Sequence, residues 1–546
     1  MTLAWLVDGL DRGLELTDES FYLLSAMHAD SIRLFFSPTH WVSGALWQVT
    51  QSLVAFRALG LGLATASAML LAWGVQRVAP RIALATSAGR LGQAAVLATS
   101  ISGALLYGSF VSFTPSYNLL GASAACFAMG FGLLSIADDK NAGRARALAA
   151  LAGLTLGITA LCKFSTGVCT AGLLLVLHAV MTWKHPGRRL DSLLMVAFAF
   201  AAVGAAMLWT TGVHEAVRQF GAGLEIVWFV QGDKTTLGRL VRSARDIGGM
   251  LAGVVASFGG PLICFALGAF WRPLVLGCMG AGWFAFSLVA GDHLAAGVSR
   301  HMLQALPLAA ALGLVLLINI RRWAGNGSAL FLVFTLAALP LGIALGTSNP
   351  LQVQILGALA PWGALIGLLA FSGLKNSLPG AIISLLFCLT VLLHVVSKDA
   401  EPYRLRALKE QTETVVIAGL GTLKVDSATA ALVHGMKSAA EQCGIQPGAP
   451  FLDFYNLPGV ALMIGARPVE TPWLLTPDYA DRALKLADPL TLRSSVVAVK
   501  RNEQGELPRP PGQLEAFPRG FRLCGRATGP IDGLPVELWA PSPTSP

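Results

Sequence analysis

Apolar runs of helix-spanning length recur from residue 53 to residue 397. They lie near 53–75, 91–111, 117–136, 147–162, 164–183, 191–211, 247–270, 274–290, 302–319, 328–346, 351–371 and 378–397. A hydrocarbon core of ~30 Å is crossed by a helix of about 20 apolar residues, so the pattern predicts about twelve spans. The fourth and fifth are parted only by Lys163. Composition agrees: 54% of residues are hydrophobic and 13% charged, where soluble domains carry roughly 25% charge. The fold class is therefore an α-helical polytopic membrane protein in three parts. Residues 1–52 precede the spans, 53–397 form the bundle with an outer loop at 212–246, and 398–546 form a soluble tail.

Basic residues orient the bundle. One alternate set of connections carries thirteen Lys and Arg, among them Arg77, Arg81, Arg144, Arg188 and Arg322. The other carries Lys163 and Arg300 in short loops and five more confined to 212–246. Lys and Arg accumulate in short cytoplasmic loops, so the first set is expected inside. Residues 1–52, the loop 212–246 and the tail are then extracytoplasmic. The net charge of +9 is accounted for by these loops and requires no nucleic acid.

The amino terminus is unusual for such a topology. Leu3 to Val7 is its only apolar run, and Asp8, Asp11 and Arg12 follow. That is too short to span, and it lacks the basic region and longer apolar core of a signal peptide. We expect one further amino-terminal span in the native protein, lost through a misassigned start; an in-frame stop directly before Met1 would refute this.

Residues 17–50 read as surface-lying helices. Thr17 is placed to cap a helix whose first turn holds Asp18 and Glu19, where carboxylates suit the positive end of the dipole. Thr39 to Gln51 is a second amphipathic stretch, with Trp41 and Trp47 as expected interfacial anchors. An acidic pair abutting the first spans, beside Tyr22 and the cluster Ser37, Thr39 and His40, is better suited to chemistry than to packing. Lys163, a cation interrupting apolar sequence at an outer turn, is a functional position by default. Small-xxx-small spacings at Gly153/Gly157, Gly249/Gly253, Gly342/Gly346 and Gly363/Gly367 let helices approach closely.

The tail has its own pattern. Thr414 to Leu420, Phe451 to Tyr455 and Ser494 to Lys500 read as strands, Ser427 to Cys443 and Tyr479 to Ala487 as helices, together a small α/β domain. Gly419-Leu-Gly421 lacks the third glycine of a dinucleotide fingerprint. Cys443 and Cys524 are the only cysteines of the tail, and an oxidising compartment would let them pair if the fold brings them together. The other six fall in or near spans and read as packing residues. No His or Cys spacing matches a structural zinc site.

The acidic pair Asp18-Glu19 in a first extracytoplasmic loop, in-plane helices, many spans and a trailing extracytoplasmic domain together resemble the GT-C glycosyltransferases. These include protein O-mannosyltransferases and the enzymes that place aminoarabinose on lipid A. Thr114 to Asn118, Gly157 to Phe164 and Gly346 to Pro350 resemble bacterial members of that superfamily, and the likeness runs from about residue 10 to 400. The missing first span departs from the pattern.

The resemblance implies a bacterial inner-membrane enzyme that takes a sugar from a polyprenyl phosphate, with inversion in one displacement, and passes it to a lipid, glycan or protein acceptor. Asp18 is then the general base on the acceptor hydroxyl. Glu19 would assist, holding the acceptor or, with Asp18, a divalent cation, since hard cations favour carboxylate oxygen. Lys163, Arg300 and His301 are the candidates to hold the donor phosphate as charge develops on it. Tyr22, His40, Tyr117 and Asn118 are expected to line the cavity, and the tail to cover the site or recognise the acceptor. Two other classes fit a twelve-span chain: a secondary transporter, which should show related halves and mid-membrane polar groups, and a bundle that has lost its chemistry.

Overall fold

A computed structural model describes residues 1–35, 37–84, 89–109, 111–183, 185–210, 212–230, 241, 245, 248–249, 252, 312–313, 316, 319–346, 354–372, 377–397, 406–485 and 487–542. The expected spans 247–270, 274–290 and 302–319 lie largely outside these residues, as do Cys264 and Cys278.

Three short helices come first: α1 (Thr2–Asp8), α2 (Asp18–Met27) and α3 (Thr39–Thr50). The bundle follows with α4 (Leu53–Val78), α5 (Arg90–Leu105), α6 (Tyr117–Ala137), α7 (Ala142–Cys162), α8 (Phe164–Thr182) and α9 (Arg189–Thr210). It continues with α10 (Val213–Val230), α11 (Gly327–Ala344), α12 (Ala360–Ser372) and α13 (Ser377–Ser397). Among the described residues seven helices are long and apolar enough to cross a membrane, and α12 and α13 supply two shorter apolar segments.

Local chemistry sets the boundaries. Ser52, Ser116 and Asn141 each accept a backbone N–H of the first turn of α4, α6 and α7, satisfying donors that a helix start leaves free. The run expected at 351–371 becomes a 3-10 turn, Ile355–Ala358, and then α12. Pro361 lacks an N–H and suits a first turn, and it stands at the second position of α12.

The helices are apolar all round, and burial sorts them. The apolar window of α6 is 89% buried and that of α9 only 6%, so α6 is central and α9 peripheral, leaving a face for lipid. Glycines bring backbones together at two of the expected spacings. A Cβ at Gly153 or Gly157 would fall 2.4 Å or 2.7 Å from backbone oxygens of Met195 or Ala199 on α9. One at Gly363 would fall 2.1 Å from Thr99 O on α5, where Thr99 Oγ1 already donates to Gly363 O at 2.7 Å.

The tail is an α/β domain. A hairpin of β1 (Glu413–Ile417) and β2 (Gly421–Val425) leads into α14 (Ser427–Gln442). A five-stranded sheet of order β4-β3-β5-β7-β6 holds β3 (Pro450–Phe454), β4 (Arg467–Pro468), β5 (Val496–Lys500), β6 (Phe521–Thr528) and β7 (Pro535–Pro541). Strands β4, β3 and β5 run parallel, while β7 is antiparallel to both its neighbours. Gly419 and Gly421 serve the hairpin turn, with φ of +80° and +95°, a region that favours glycine. A disulfide joins Cys443, at the end of α14, to Cys524 on β6.

This domain is keyed into residues 9–53 by main-chain bonds. Gly13 N donates to Lys424 O (2.7 Å), Lys424 N to Asp11 O (2.8 Å), Leu53 N to Leu420 O and Gly459 N to Leu16 O (3.0 Å each), and Arg33 N and Leu34 N to Glu470 O. Leu23, Leu24 and Phe56 share one buried cluster with Val415, Leu423, Val433 and Val460. Trp47 belongs to it too, at 9% exposure and edge-on to Phe56 at 5.2 Å. Trp47, expected as an interfacial anchor, is instead buried in a cluster that includes residues of the tail.

Candidate functional site

Three acids meet at the start of α2. Thr17 does not cap the helix as its position predicts, because the longer Glu15 side chain reaches the same free N–H groups. Glu15 Oε1 accepts from Thr17 N at 2.7 Å and from Thr17 Oγ1, and Oε2 accepts from Glu19 N. Glu19 answers by accepting from Glu15 N at 3.2 Å. The two side chains brace the turn reciprocally, as in a capping box, and fix Asp18 between them.

Glu19 is 3% exposed and its oxygens are occupied. Oε1 accepts from Arg57 Nε (2.8 Å), Ser112 Oγ (2.7 Å) and Thr114 Oγ1, and Oε2 from Arg57 NH2 (2.7 Å). Arg57 places its remaining donors on the carbonyls of Leu10, Arg12 and Gly13, at 2.8–3.1 Å, so all five of its N–H groups are used. Burial alone would raise the Glu19 carboxyl, but the Arg57 charge and these bonds hold it at about 2. The part expected of Glu19, holding acceptor or cation, is not one this geometry offers, since its lone pairs already have donors. Among the described residues no group of three His, Cys, Asp or Glu is arranged to hold a metal ion. With the oxygens of Glu19 occupied, the pair does not offer two carboxylates to a divalent cation, and no step below is routed through one.

Asp18 is half-buried in the first turn of α2, and its charge acts on the hydroxyls of Tyr22 and Tyr117. The two rings meet edge-on at 5.7 Å. Burial, then Tyr117 and Asp18, hold the Tyr22 phenol well above its ordinary pKa, so it remains a proton donor. Tyr117 is positioned as the first residue of α6, just after the capping Ser116, whose Oγ meets the Tyr107 hydroxyl at 2.8 Å.

Lys163 is a second charged neighbour of Tyr117. It is the single residue between α7 and α8, 6% exposed, with Nζ 6.0 Å from the Tyr117 ring centre. Nζ donates to Ile343 O at 2.7 Å, near the end of α11, and to Asn118 Oδ1 at 3.4 Å. A helix carboxyl end favours a cation. Among the described residues, however, Lys163 has no ion pair with a carboxylate. Gly346 lets the chain pass: with φ +88°, a Cβ there would fall 2.1 Å from Ser165 Oγ.

The sequence-predicted residues Asp18, Tyr22, Tyr117, Asn118 and Lys163 are thus brought together. His40 is tied in less directly. Its ring packs on Phe35 (4.7 Å between centres) and Trp41, and burial lowers it to about 3, so it is neutral. Beside it Ser37 Oγ and Thr39 Oγ1 donate to Cys162 O at 2.8 and 2.9 Å, fastening the first loop to the residue before Lys163. Arg300 and His301 lie outside the described residues. Glu15 and Arg57 were missed. Arg57 had a signal, a cation four residues into an apolar run, which in a membrane implies a partner; Glu15 had none beyond its spacing from Glu19.

No family model matches the sequence, and no curated protein matches it. Among solved structures, the chain is similar to the Archaeoglobus fulgidus oligosaccharyltransferase in complex with zinc and sulfate, at 12% identity and TM-score 0.45 over 93% of this chain and 72% of that one. It is similar to the oligosaccharyltransferase AglB of the same archaeon in complex with an inhibitory peptide and a dolichol-phosphate, at 11% identity and TM-score 0.44 over 93% and 73%. The apo form of the Archaeoglobus fulgidus enzyme gives 12%, 0.45, 91% and 69%. At such identities and scores the likeness assigns no residue a role.

Proposed function

We propose that this chain is a GT-C-type membrane glycosyltransferase that moves a sugar from a polyprenyl-phosphate donor to a cell-envelope acceptor on the extracytoplasmic face. The observation that carries the reading is Tyr117. It is the shared neighbour of Asp18, whose charge acts on its hydroxyl, and of Lys163, whose ammonium lies over its ring. A carboxylate and a buried cation that share one tyrosine as neighbour supply the two charges a displacement at an anomeric carbon requires.

In this mechanism Asp18 accepts the proton of the acceptor hydroxyl as that oxygen attacks the anomeric carbon. The bond from that carbon to the phosphate oxygen breaks, and the polyprenyl phosphate leaves with the electron pair. Lys163 offsets the charge that grows on the phosphate, in a site where water does not screen it. Tyr22, kept protonated, donates to an oxygen of either substrate and orients it. Glu15, Glu19 and Arg57 hold Asp18 in place and touch no substrate. The distribution of basic residues among the loops supports an extracytoplasmic site, and the resemblance to bacterial GT-C proteins supports a bacterial plasma membrane.

The test is Asp18→Asn in purified full-length protein supplied with a polyprenyl-phosphate sugar. Loss of a positioned base lowers such reactions by about 10²- to 10⁴-fold. Transfer at the wild-type rate would refute the assignment, and substrate flux across vesicles without transfer would favour a transporter.

A further inference from the structure

One buried donor is left over from everything above. Gln354 follows α11 and precedes the Ile355–Ala358 turn; it is 6% exposed, and among the described residues its Nε2 has no hydrogen-bond partner. Burying an amide donor without an acceptor costs about 1–3 kcal/mol. Gln354 lines a small cavity together with Tyr107, Asn118, Ile343 and Gly357. Two of these lining residues also hold Lys163, whose Nζ donates to Asn118 Oδ1 and Ile343 O. Gly357 shapes another wall: a Cβ there would lie 3.0 Å from the Tyr107 ring.

We propose that the cavity at Gln354 takes one non-bridging oxygen of a phosphate, close to Lys163, which two of the cavity's lining residues hold, with the rest of the phosphate lying outside it. Size sets the limit. The cavity has room for about one water-sized atom, which excludes a sugar ring or a whole phosphate ester. Charge sets the class. A water molecule would satisfy the Gln354 amide, but it would leave the Lys163 ammonium buried without an anion. A phosphate oxygen accepts from both, and charge-assisted bonds of this kind are about twice as strong as neutral ones. Naming the phosphate as that of a polyprenyl phosphate rests on the glycosyl-transfer reading; the oxyanion pocket does not.

The full-length protein in detergent is titrated by calorimetry with farnesyl phosphate, farnesol and inorganic phosphate. Farnesyl phosphate should bind, and Gln354→Leu should weaken it about 10- to 100-fold, the worth of one hydrogen bond to a charged group. Gln354→Glu, which keeps the shape and adds a like charge, should weaken it further and leave farnesol binding unchanged. Inorganic phosphate binding with the same dependence on Gln354 shows the pocket reading phosphate alone; binding of farnesyl phosphate only shows the chain contributing, and both uphold the pocket. Wild-type affinity for farnesyl phosphate in either variant, with unaltered melting and size-exclusion behaviour, overturns it. Asp18→Asn separates the two readings. It should bind farnesyl phosphate normally while losing transfer; if it keeps transfer while Gln354 still governs binding, the base assignment falls and the pocket stands.

Discussion

Glu19 and Arg57 form a unit whose removal can be worked out in advance. The Glu19 carboxyl is held at about 2 against an ordinary 4.5, a difference that corresponds to roughly 3 kcal/mol favouring the folded state. Because the folded value is depressed, this contribution is fully present above pH 4.5 and is lost as pH falls through 4.5 towards 2. Mutation gives an independent figure: removing one partner of a buried pair costs about 3–5 kcal/mol, since the other charge stays buried and uncompensated. Glu19→Gln and Arg57→Leu should therefore each destabilise by about 3–5 kcal/mol. The double variant should cost about as much as either single one, giving a coupling of at least about 2 kcal/mol. It is not neutral, because the carbonyls of Leu10, Arg12 and Gly13 lose their donor. The assay is unfolding of the full chain in mixed micelles of rising denaturing-detergent fraction, monitored by near-ultraviolet circular dichroism at pH 7. Additivity within about 0.5 kcal/mol would refute the pairing, and so would singles that cost less than about 1 kcal/mol.

Reducing the Cys443–Cys524 disulfide releases a loop closed over a separation of 81 residues. Chain entropy predicts a loss of about 4–5 kcal/mol, measurable as a lower unfolding midpoint in reductant that Cys443→Ala reproduces and reductant does not lower further. Asp453 accepts from Leu457 N and Leu474 N at 3.0 Å, and burial pushes it up to about 7. Its raised value means that its contribution to stability is full below pH 3.8 and is lost as pH rises to about 7, so melting curves should show a downward slope between about pH 4 and 7 that Asp453→Asn removes. Gly363→Ala would set a Cβ 2.1 Å from Thr99 O and force α5 and α12 apart; a loss of about 1–3 kcal/mol is expected, with wild-type stability refuting the close approach.

The bundle was legible because apolar length is a local property: Leu53–Ile82 or Tyr117–Ala137 announces itself without knowledge of its neighbours. The sheet was half legible. Strand β5 is a continuous apolar run, but β6 is an edge strand exposed along most of its length and β7 has proline at both ends, so neither shows the alternation that reveals a strand. At the site, Asp18 and Lys163 stood out as charges in the wrong surroundings. The occupation of Glu19 did not, because it depends on a contact 38 residues away and on two hydroxyls more than 90 residues away. No spacing rule encodes such a meeting.

The main-chain seam between residues 9–53 and the tail fixes a sequence of events. Asp11 and Lys424 are 413 residues apart, so the ribosome makes the first long before the second exists. While the bundle is being inserted, the amides of Gly13, Arg33, Leu34 and Leu53 have no protein acceptors, and α2 lacks the surface on which it rests. The later-made domain therefore completes the surface on which α2 rests. A nascent chain holds its apolar scaffold early and seats α2 only once the tail has been made.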